Sequence, residues 1–405
     1  MKYQKNLLFI IGKTSLVLLL LLIVFVYAMF QGGFVSWFLF YSFVPFALYS
    51  LLLASYPLKS IRVTRSTNQN QYTAGEKLIG TITLERKIPF PFVYLVIEDL
   101  LSMQLHRCKQ SKPAKVILFP WFKRKITYQY VIDAIPRGEH IFSHVRFKTG
   151  DLFGLLEKEL IVPVHHKFLV YPRYEEMVYR QIENRFDQGM TTSRLRIQRD
   201  TTIAIGVRNY QPGDRFSWID WKSSARKNDI MTKDFEQLQS DDVVLFMDRT
   251  ISQSFEPVVT FSASLVPAIL KKGAQLGFVS VGKDRAVYPL RTGEEQLGRI
   301  YYHLAKVQAD QTISFAHVIE SEMKKWQQTI TLILVTSELT EELVQVIKKV
   351  SFWNANILVF VSKEHAEKLS NDELTAIESL TKQGIYTNVI HEGHYSEAFL
   401  EVSRS

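Results

Sequence analysis

Cysteine is almost absent from this chain, because Cys108 is the only one in 405 residues. A single thiol excludes an intrachain disulfide and any zinc site that needs several cysteines. His106 lies close to Cys108 in the sequence, but this proximity does not create the electropositive pocket that activates a thiol. We therefore interpret Cys108 as an ordinary thiol in a strand or loop, and a reducing compartment fits this interpretation.

Several catalytic patterns are also missing. The chain has neither an H-E-x-x-H zinc motif nor a G-x-S-x-G nucleophile motif. The segment 277–283 begins like a phosphate-binding loop, but its middle residues are apolar and strand-like, and Asp284 stands where Ser or Thr is required. We therefore expect no complete catalytic site and no nucleotidase activity of the chain's own.

The chain also lacks the patterns of a nucleic-acid-binding protein. Lysine and arginine outnumber aspartate and glutamate, 49 to 40, which gives a formal net charge of +9. The charges are mixed along the chain, and no zinc-finger, helix-turn-helix or RNP-type pattern accompanies them. A basic surface that faces anionic lipid explains the sign of the charge as well, so we expect no nucleic-acid partner.

Charge is lacking from long stretches at the N-terminus. Residues 7–30 are apolar except for Gly12-Lys13-Thr14, and residues 34–54 carry no charge. Each run reaches the roughly 20 residues that a helix needs to cross about 30 Å of hydrocarbon. A cleaved signal peptide is the alternative for the first run, but no small-x-small cleavage site follows it. The sequence predicts a transmembrane hairpin within residues 1–59.

Cations precede the first apolar run and follow the second, whereas the turn between the two runs carries no charge. Under the positive-inside rule, both ends of the hairpin stay in the cytoplasm. We therefore expect a multi-pass protein of the cell membrane with both termini and the large remainder cytoplasmic. The flanking cations are Lys2, Lys5, Lys59, Arg62 and Arg65.

Residues 60–173 alternate with the period of a β-strand. Ile126, Tyr128, Tyr130 and Ile132 share one face of a predicted strand. Turn-forming residues separate several such short runs, which is typical of a small β-sandwich. We predict a β-sandwich-like domain here, followed by a linker at 174–241.

Residues 242–405 change to alternating strands and helices. The predicted strands are apolar throughout, which indicates a mainly parallel sheet covered on both faces. The expected strands are 242–247, 277–281, 331–335, 357–361 and 385–390, and the expected helices are 258–275, 294–307, 338–349 and 363–382.

A polar segment follows the first of these strands directly. Asp248, Thr250 and Ser252 have the D-x-[ST]-x-S spacing of a metal-ion-dependent adhesion site in von Willebrand factor A domains. One carboxylate and two hydroxyls are suitable ligands for Mg²⁺. The usual further Asp of a Thr-Asp-Gly sequence is missing, because Ser337 occupies its position. Helix capping by the three side chains is therefore an alternative to a magnesium site.

The segment 208–236 is the densest in aromatic and charged residues. It surrounds a Pro-Gly-Asp turn, and its aromatic rings and cations are the types enriched at protein interfaces. The alternative is an internal clamp in which Asp214 and Asp220 pair with Arg208 and Arg226. The candidate residues are Arg208, Tyr210, Pro212, Gly213, Asp214, Trp218, Asp220, Trp221, Lys222 and Arg226.

With this segment, the chain resembles the bacterial family called domain of unknown function 58. The resemblance covers nearly the whole chain and implies a membrane-anchored protein with a von Willebrand factor A-like α/β domain. It also implies association with a MoxR-type AAA+ ATPase and a transglutaminase-like membrane protein. The residues that carry it include Tyr210, Pro212-Gly213-Asp214, Ile219, Trp221-Lys222 and Ala225-Arg226.

The chain departs from the family pattern at two positions. Members often have Glu at the position of Asn209 and Arg at the position of Ser217. These replacements put individual contacts in doubt more than the architecture. The residues that we carry over from the family are Arg208, Tyr210, Gly213, Asp214, Trp221 and Arg226.

Three functional hypotheses follow. The first is a non-enzymatic adaptor or assembly protein of the bacterial cell envelope, with a protein partner bound at the sheet end. The second is a metal-assisted hydrolase near the inner leaflet, whose carboxylates would be Asp214, Asp220 and Asp248. The third is a purely structural membrane protein whose partner binds the hairpin.

Overall fold

A computed structural model describes most of the chain. The described residues are 2–180, 204–211, 214, 216–235, 242–326, 330–352, 356–365, 367 and 369–399, of which 2–10, 204, 205, 234 and 235 are described by their backbone alone. Residue contacts divide the chain into two compact units, Met1–Arg173 and Tyr174–Ser405. The finer division into four segments stays a prediction.

The first unit begins with two antiparallel apolar helices, α1 (Lys2–Gln31) and α2 (Phe34–Ser55). Gly32 and Gly33 connect them at φ angles of 61° and 86°, which glycine adopts without the steric cost of a Cβ. Ile11–Gln31 and Phe34–Ser55 are long and apolar enough to be candidate membrane spans. The predicted pair of apolar helices is confirmed, and their orientation in a membrane stays a prediction.

Two sheets follow in the same unit. The first has the order β1-β3-β7-β5 and is antiparallel. The second has the order β2-β9-β8-β4-β6, with β2 and β9 as its parallel pair. The elements are β1 (Ile61–Thr67), β2 (Gln71–Thr73), β3 (Leu78–Arg86), β4 (Leu95–Asp99), α3 (Met103–Arg107), β5 (Gln110–Lys112), β6 (Lys115–Leu118), β7 (Lys125–Ile132), β8 (Gly138–Gly150) and β9 (Glu157–Tyr171).

The two sheets share one hydrophobic core, which follows from the alternation in their strands. In β7, Ile126, Tyr130 and Ile132 are buried as the period of two predicts. Their partners in the core include Val145 and Phe147 of β8. The short α3 interrupts the strands for a single turn.

His140 of β8 is buried in this core. Its Nε2 lies 2.8 Å from the carbonyl oxygen of Pro136, and its Nδ1 is buried with no hydrogen-bond partner among the described residues. Burial lowers the pKa of His140 from its ordinary 6.5, because a protonated ring would place a second N–H where it finds no acceptor. The folded state therefore favours the neutral ring.

We expect His140 to make the first unit acid-sensitive. A lowered pKa means that the unfolded chain binds the proton first, so stability is full above the unfolded pKa and falls as pH drops through the folded pKa. Unfolding temperature should decrease by a few degrees between about pH 7 and pH 5, and His140→Phe should reduce this decrease. Thermal melts of both full-length proteins in the same detergent measure the slope. Equal slopes would contradict the assignment to His140.

The second unit contains a small hairpin and a six-stranded sheet. The hairpin pairs β10 (Ala204–Asn209) with β11 (Met231–Phe235) and includes α4 (Trp221–Lys227). The sheet elements are β12 (Val243–Met247), α5 (Phe255–Lys271), β13 (Leu276–Val281), β14 (Arg285–Arg291), α6 (Glu294–Lys306), α7 (Phe315–Met323), β15 (Thr331–Thr336), α8 (Glu341–Ser351), β16 (Ile357–Lys363), α9 (Asn371–Thr381) and β17 (Tyr386–His391).

The sheet has the order β14-β13-β12-β15-β16-β17. All neighbours are parallel except the antiparallel edge strand β14. Both faces are apolar, because Val243, Leu245 and Met247 enter one core cluster while Val244 and Phe246 enter the other. The apolar character of the strand therefore reflects burial on both sides.

The structure corrects the predicted boundaries around β16. The helix expected at 363–382 begins only at Asn371, where Ser370 and Glu373 form a capping box. Lys363 instead ends β16 and is buried, because the strand continues its pairing with β17 to His391. The edge strand β14 and helix α7 were missing from the sequence prediction.

Candidate functional site

Asp248 lies at the carboxyl end of the central strand β12, next to the end of β15. Its carboxylate accepts hydrogen bonds from the hydroxyls of Thr250 and Thr336, each at 2.7 Å. The backbone N–H of Thr250 adds a third bond to Asp248 at 3.0 Å. Parallel strands end at the same edge of the sheet, and this edge is where ligands bind in open α/β sheets.

The environment of Asp248 is dry, since only 4% of the residue is exposed. Burial raises the pKa of the Asp248 carboxyl, although the hydrogen bonds from Thr336 and Thr250 oppose this effect. A second charge or cation beside the carboxylate would offset the cost of burial.

Ser252, the third residue of the predicted metal motif, has a buried Oγ with no hydrogen-bond partner among the described residues. The N-cap position of the following helix α5 is Ser254, whose side chain makes no capping hydrogen bond. The helix-cap alternative for Asp248, Thr250 and Ser252 is therefore wrong, because the Asp248 carboxylate accepts from Thr250 and from Thr336 of β15 instead of from a backbone N–H of α5.

A cleft of about 370 Å³ opens above Asp248 and Thr250. Its walls come from the segment before α7 and from the start of α8. Glu338 and Glu342 add carboxylates to the lining, and Ser314 donates a hydrogen bond to Glu342 at 3.1 Å. Asp248 thus lies in an acidic and hydroxyl-rich depression.

Arg249 stabilises the loop after β12 through buried contacts. Its guanidinium, 3% exposed, contacts Asp284 and Asp310 at 2.6 Å each and donates from Nε to the carbonyl of Gln308. A Cβ at Gly282 would lie 2.6 Å from the same Nε, so the strand end must approach closely here. The middle position of the motif is therefore structural, which its spacing alone did not reveal.

The hairpin holds the segment that resembles the family signature. Arg208 forms a two-pronged ion pair with Asp214, at 2.8 and 2.7 Å. Asp214 also accepts from the backbone N–H of Gln211, and the ring of Tyr210 stacks on Phe216 at 6.3 Å. The part of the predicted internal clamp that joins Arg208 and Asp214 is therefore present.

The other half of the clamp is wrong. Asp220 caps α4 by accepting from the backbone N–H of Ser223 at 3.0 Å, which lowers the pKa of Asp220. Arg226 lies exposed in the last turn of α4. Asp220 and Arg226 lie at opposite ends of the same short helix, six residues apart, and only side chains three or four positions apart meet on a helix surface.

The outer face of the hairpin exposes aromatic side chains. Phe216 is 77% exposed and Trp221 is 70% exposed, while Lys222 is also exposed and Trp218 is half-buried. Pro212, Gly213 and Glu236 lie outside the described residues. Exposed aromatic rings beside cations are the composition of an interface hot spot.

A second and larger cleft was not foreseen from the sequence. It measures about 850 Å³ and lies between α8 and α9. At its lining, Lys363 pairs with Glu367 and Glu373, each at 3.0 Å. The available signal was a lysine close to the end of an apolar run, where a buried cation requires partners. Among the described residues, no group of three or more His, Cys, Asp or Glu side chains could hold a metal ion.

Comparisons with known proteins identify the relatives of this chain. The model for "Protein of unknown function DUF58" matches residues 206–397. "Uncharacterized protein YeaD" of Bacillus subtilis (strain 168) is 39% identical over 386 residues, covering 95% of this chain and 96% of that protein.

Solved structures give much weaker similarities. The sporulation control protein Spo0M of Bacillus subtilis is 11% identical, with 27% of this chain and 49% of that chain covered and a TM-score of 0.14. A conjugative transposon lipoprotein of Bacteroides eggerthii DSM 20697 is 14% identical, with 27% and 96% covered and a TM-score of 0.17. Scores this low carry no argument about the fold. The identity to a relative along nearly its whole length, together with the matching family model, shows that this chain belongs to the DUF58 family.

Proposed function

We propose that this protein is a membrane-anchored adaptor that binds a protein partner at the carboxyl edge of its six-stranded sheet. In this proposal α1 and α2 span the cell membrane, and both units face the cytoplasm. The first unit serves as a β-sandwich-like spacer, and the second acts as a von Willebrand factor A-like binding domain. The protein would serve the assembly of the bacterial cell envelope without being an enzyme.

The observation that carries the proposal is the geometry around Asp248. A buried carboxylate fixed by two hydroxyls lies at the base of a cleft open to a partner. Such a group is costly to bury alone, and a cation or a partner's donor would offset this cost. The site is therefore suited to binding rather than to packing.

Magnesium fits this donor set, provided that the partner contributes to the coordination. Mg²⁺ accepts one or two carboxylates and keeps several waters. Asp248, Thr250 and Ser252 would hold the ion, and the unpartnered Oγ of Ser252 has the chemistry of such a ligand. A bound Mg²⁺ would supply a Lewis-acidic position for a carboxylate of the partner. Thr336 would orient Asp248 by its hydrogen bond.

The resemblance supplies the class of partner. Members of this family are commonly associated with MoxR-type AAA+ ATPases and transglutaminase-like membrane proteins, so we propose an ATPase of this type as the partner at Asp248. The aromatic face of the hairpin, with Phe216 and Trp221, offers a second contact.

We prefer the adaptor to the hydrolase because the three carboxylates of the hydrolase hypothesis have different local roles. Asp214 pairs with Arg208, Asp220 caps α4, and Asp248 binds threonine hydroxyls. A two-metal hydrolase needs carboxylates that bridge ions about 4 Å apart.

Affinity purification after crosslinking in native membranes tests the adaptor. We expect the full-length protein to capture a MoxR-type ATPase, and Asp248→Ala to reduce the captured amount by about tenfold or more. A tenfold loss corresponds to about 1.4 kcal/mol of binding free energy, which a central interface residue readily supplies. Mass spectrometry quantifies the ATPase in each sample.

Asp242→Ala is the matched control, because Asp242 precedes the same strand at its opposite end. This variant should capture as much ATPase as the wild type. Equal capture by the Asp248→Ala protein, folded as judged by circular dichroism, would exclude Asp248 and leave the hairpin as the contact. If the wild type captures no ATPase, the proposed partner is wrong.

A further inference from the structure

The loops of the first unit expose an apolar patch at one end of the two sheets. Three loops contribute to it, and each contains large side chains that are more than half exposed. We call this surface the loop patch, and it consists of Ile88, Phe119, Trp121, Phe122, Leu152 and Phe153. A patch of this kind on a water-soluble surface marks a site of interaction with protein or membrane.

The loop patch lies beside the last turns of α2. The ring of Phe153 contacts the ring of Phe46 at 5.0 Å between centroids. Tyr56, just after α2, donates a hydrogen bond from its hydroxyl to the carbonyl of Ile88 at 3.0 Å. Trp121 belongs to the same end, because its carbonyl accepts from Arg86, which also binds the loop at Phe90.

Polar contacts fix α2 to this end of the sheets. Lys158 donates to the carbonyls of Leu53, Ala54 and Tyr56 at 3.2, 2.7 and 2.7 Å, which satisfies the free carbonyls at the end of the helix. Ser50 donates to the buried carboxylate of Asp151 at 2.7 Å. These contacts therefore fix the position of the loop patch along the axis of α2.

This depth places part of the loop patch below the membrane surface. The shortest spanning helix of about 17 residues, counted from Phe34, would end at Ser50. Phe46 lies four residues before Ser50, about 6 Å inside that boundary at 1.5 Å per residue. A boundary before Phe46 would leave a helix of about 12 residues, which is too short to span. If α2 spans the bilayer, Phe153 must enter it.

The backbone at Trp121 is an independent sign of function. Trp121 has a φ of 46°, a left-handed conformation that is a genuine outlier for a bulky residue, and its side chain is 64% exposed. Backbone strain of this kind costs of order 1 kcal/mol or more and clusters at sites of binding. Tryptophan is also the residue that concentrates at membrane–water interfaces.

The charges around the loop patch match an anionic lipid surface. Lys87, Lys123 and Arg124 are exposed on the loops that carry Ile88 and Trp121. Each cation close to an anionic leaflet contributes about 1 kcal/mol of attraction. A protein partner would have to share this surface with the lipid that already surrounds α2, so a lipid surface is the occupant that we favour.

We propose that the loop patch inserts into the inner leaflet and holds the first unit against the membrane. The proposal rests on the membrane anchoring in the proposed function, and it adds a second, non-helical contact with lipid. The inserted side chains would lie at the depth of interfacial anchors, about 5–10 Å into the headgroup and acyl boundary. The first unit would then be fixed to the bilayer surface rather than tethered to it.

Fluorophores placed on single cysteines test the insertion in the full-length protein. Cys108→Ser removes the one native thiol, and Leu152→Cys and Phe122→Cys each carry an environment-sensitive dye. The proteins are reconstituted in phosphatidylcholine and phosphatidylglycerol vesicles with nitroxide-labelled lipids. We expect both labels to be quenched at least about half as strongly as a label from Leu39→Cys within α2, because their depth reaches the acyl boundary.

Ile141→Cys is the matched control. Ile141 is 50% exposed on the same unit, but it lies nine residues along β8 from Gly150, about 30 Å at 3.3 Å per residue. Its label should stay unquenched. The proposal is overturned if the label at position 152 or 122 is quenched no more than the label at position 141. It is also overturned if either label is shielded from water only in native membranes, because a protein would then cover the loop patch. An unquenched label at position 39 would instead overturn the membrane anchoring itself.

Discussion

Asp99→Ala should destabilise the first unit by about 3–5 kcal/mol, the usual cost of removing one partner from a buried ion pair. Asp99 and Arg65 have fully buried side chains and form two hydrogen bonds, at 2.9 and 2.5 Å. The hydroxyl of Tyr130 donates to the same carboxylate at 2.7 Å. Arg65 and Tyr130 belong to one sheet and Asp99 to the other, so this cluster joins the two sheets.

The reason for the large effect is the charge that remains. Burial raises the pKa of Asp99, although Arg65 and Tyr130 oppose this effect. Without Asp99, the guanidinium of Arg65 would stay buried above the Phe142 ring without its carboxylate. Hydrogen exchange of amides in β4 and β7, followed in the full-length protein, measures the loss for this unit alone.

Two further variants separate this explanation from a general effect of mutation. Glu98→Ala, on the same strand and in a partly exposed pair with Arg146 at 3.4 Å, should change stability by less than about 1 kcal/mol. The double variant Arg65→Met, Asp99→Leu should be more stable than Asp99→Ala, because it leaves no unpaired charge. A double variant that is as unstable as the single one would refute the role of the uncompensated guanidinium.

Arg249→Ala should destabilise the second unit by about 2–4 kcal/mol, through the loss of a buried ion-pair network and its packing. Arg249 connects the loop after β12 with Asp284 and Asp310, and its backbone carbonyl accepts from Gln311. The two aspartates are 65% and 17% exposed, so water can replace part of the lost contact. The loop that presents Asp248 should therefore loosen before the whole unit unfolds.

Hydrogen exchange at residues 248–252 and 308–312 measures this loosening. Arg285→Ala is the matched control, because Arg285 also makes two hydrogen bonds to a carboxylate, that of Glu322, but it is 53% exposed. Lys325 remains as a partner of Glu322 in that variant, so only a small change is expected. Comparable exchange in both variants would show that burial of Arg249 does not set the stability of the loop.

The sequence by itself determined the elements that depend on local pattern. Long apolar runs predicted α1 and α2, and period two predicted the strands of the first unit. Apolar strands alternating with helices predicted the central strands of the second unit. The spacing of Asp248, Thr250 and Ser252 after a strand also placed this motif at the sheet edge. These features follow from burial and backbone geometry, which act over a few residues.

Only the tertiary structure decided which distant residues meet. The pairing of Asp99 with Arg65 and the bond between Thr336 and Asp248 depend on strand order and loop closure. The same holds for the salt links of Arg249 to Asp284 and Asp310 and of Lys363 to Glu373. The choice between Asp220 as an ion-pair partner and as a helix cap likewise required the geometry of α4. Chain pattern constrains which side of an element is buried, but the contacts of a polar side chain depend on where the fold brings its partners.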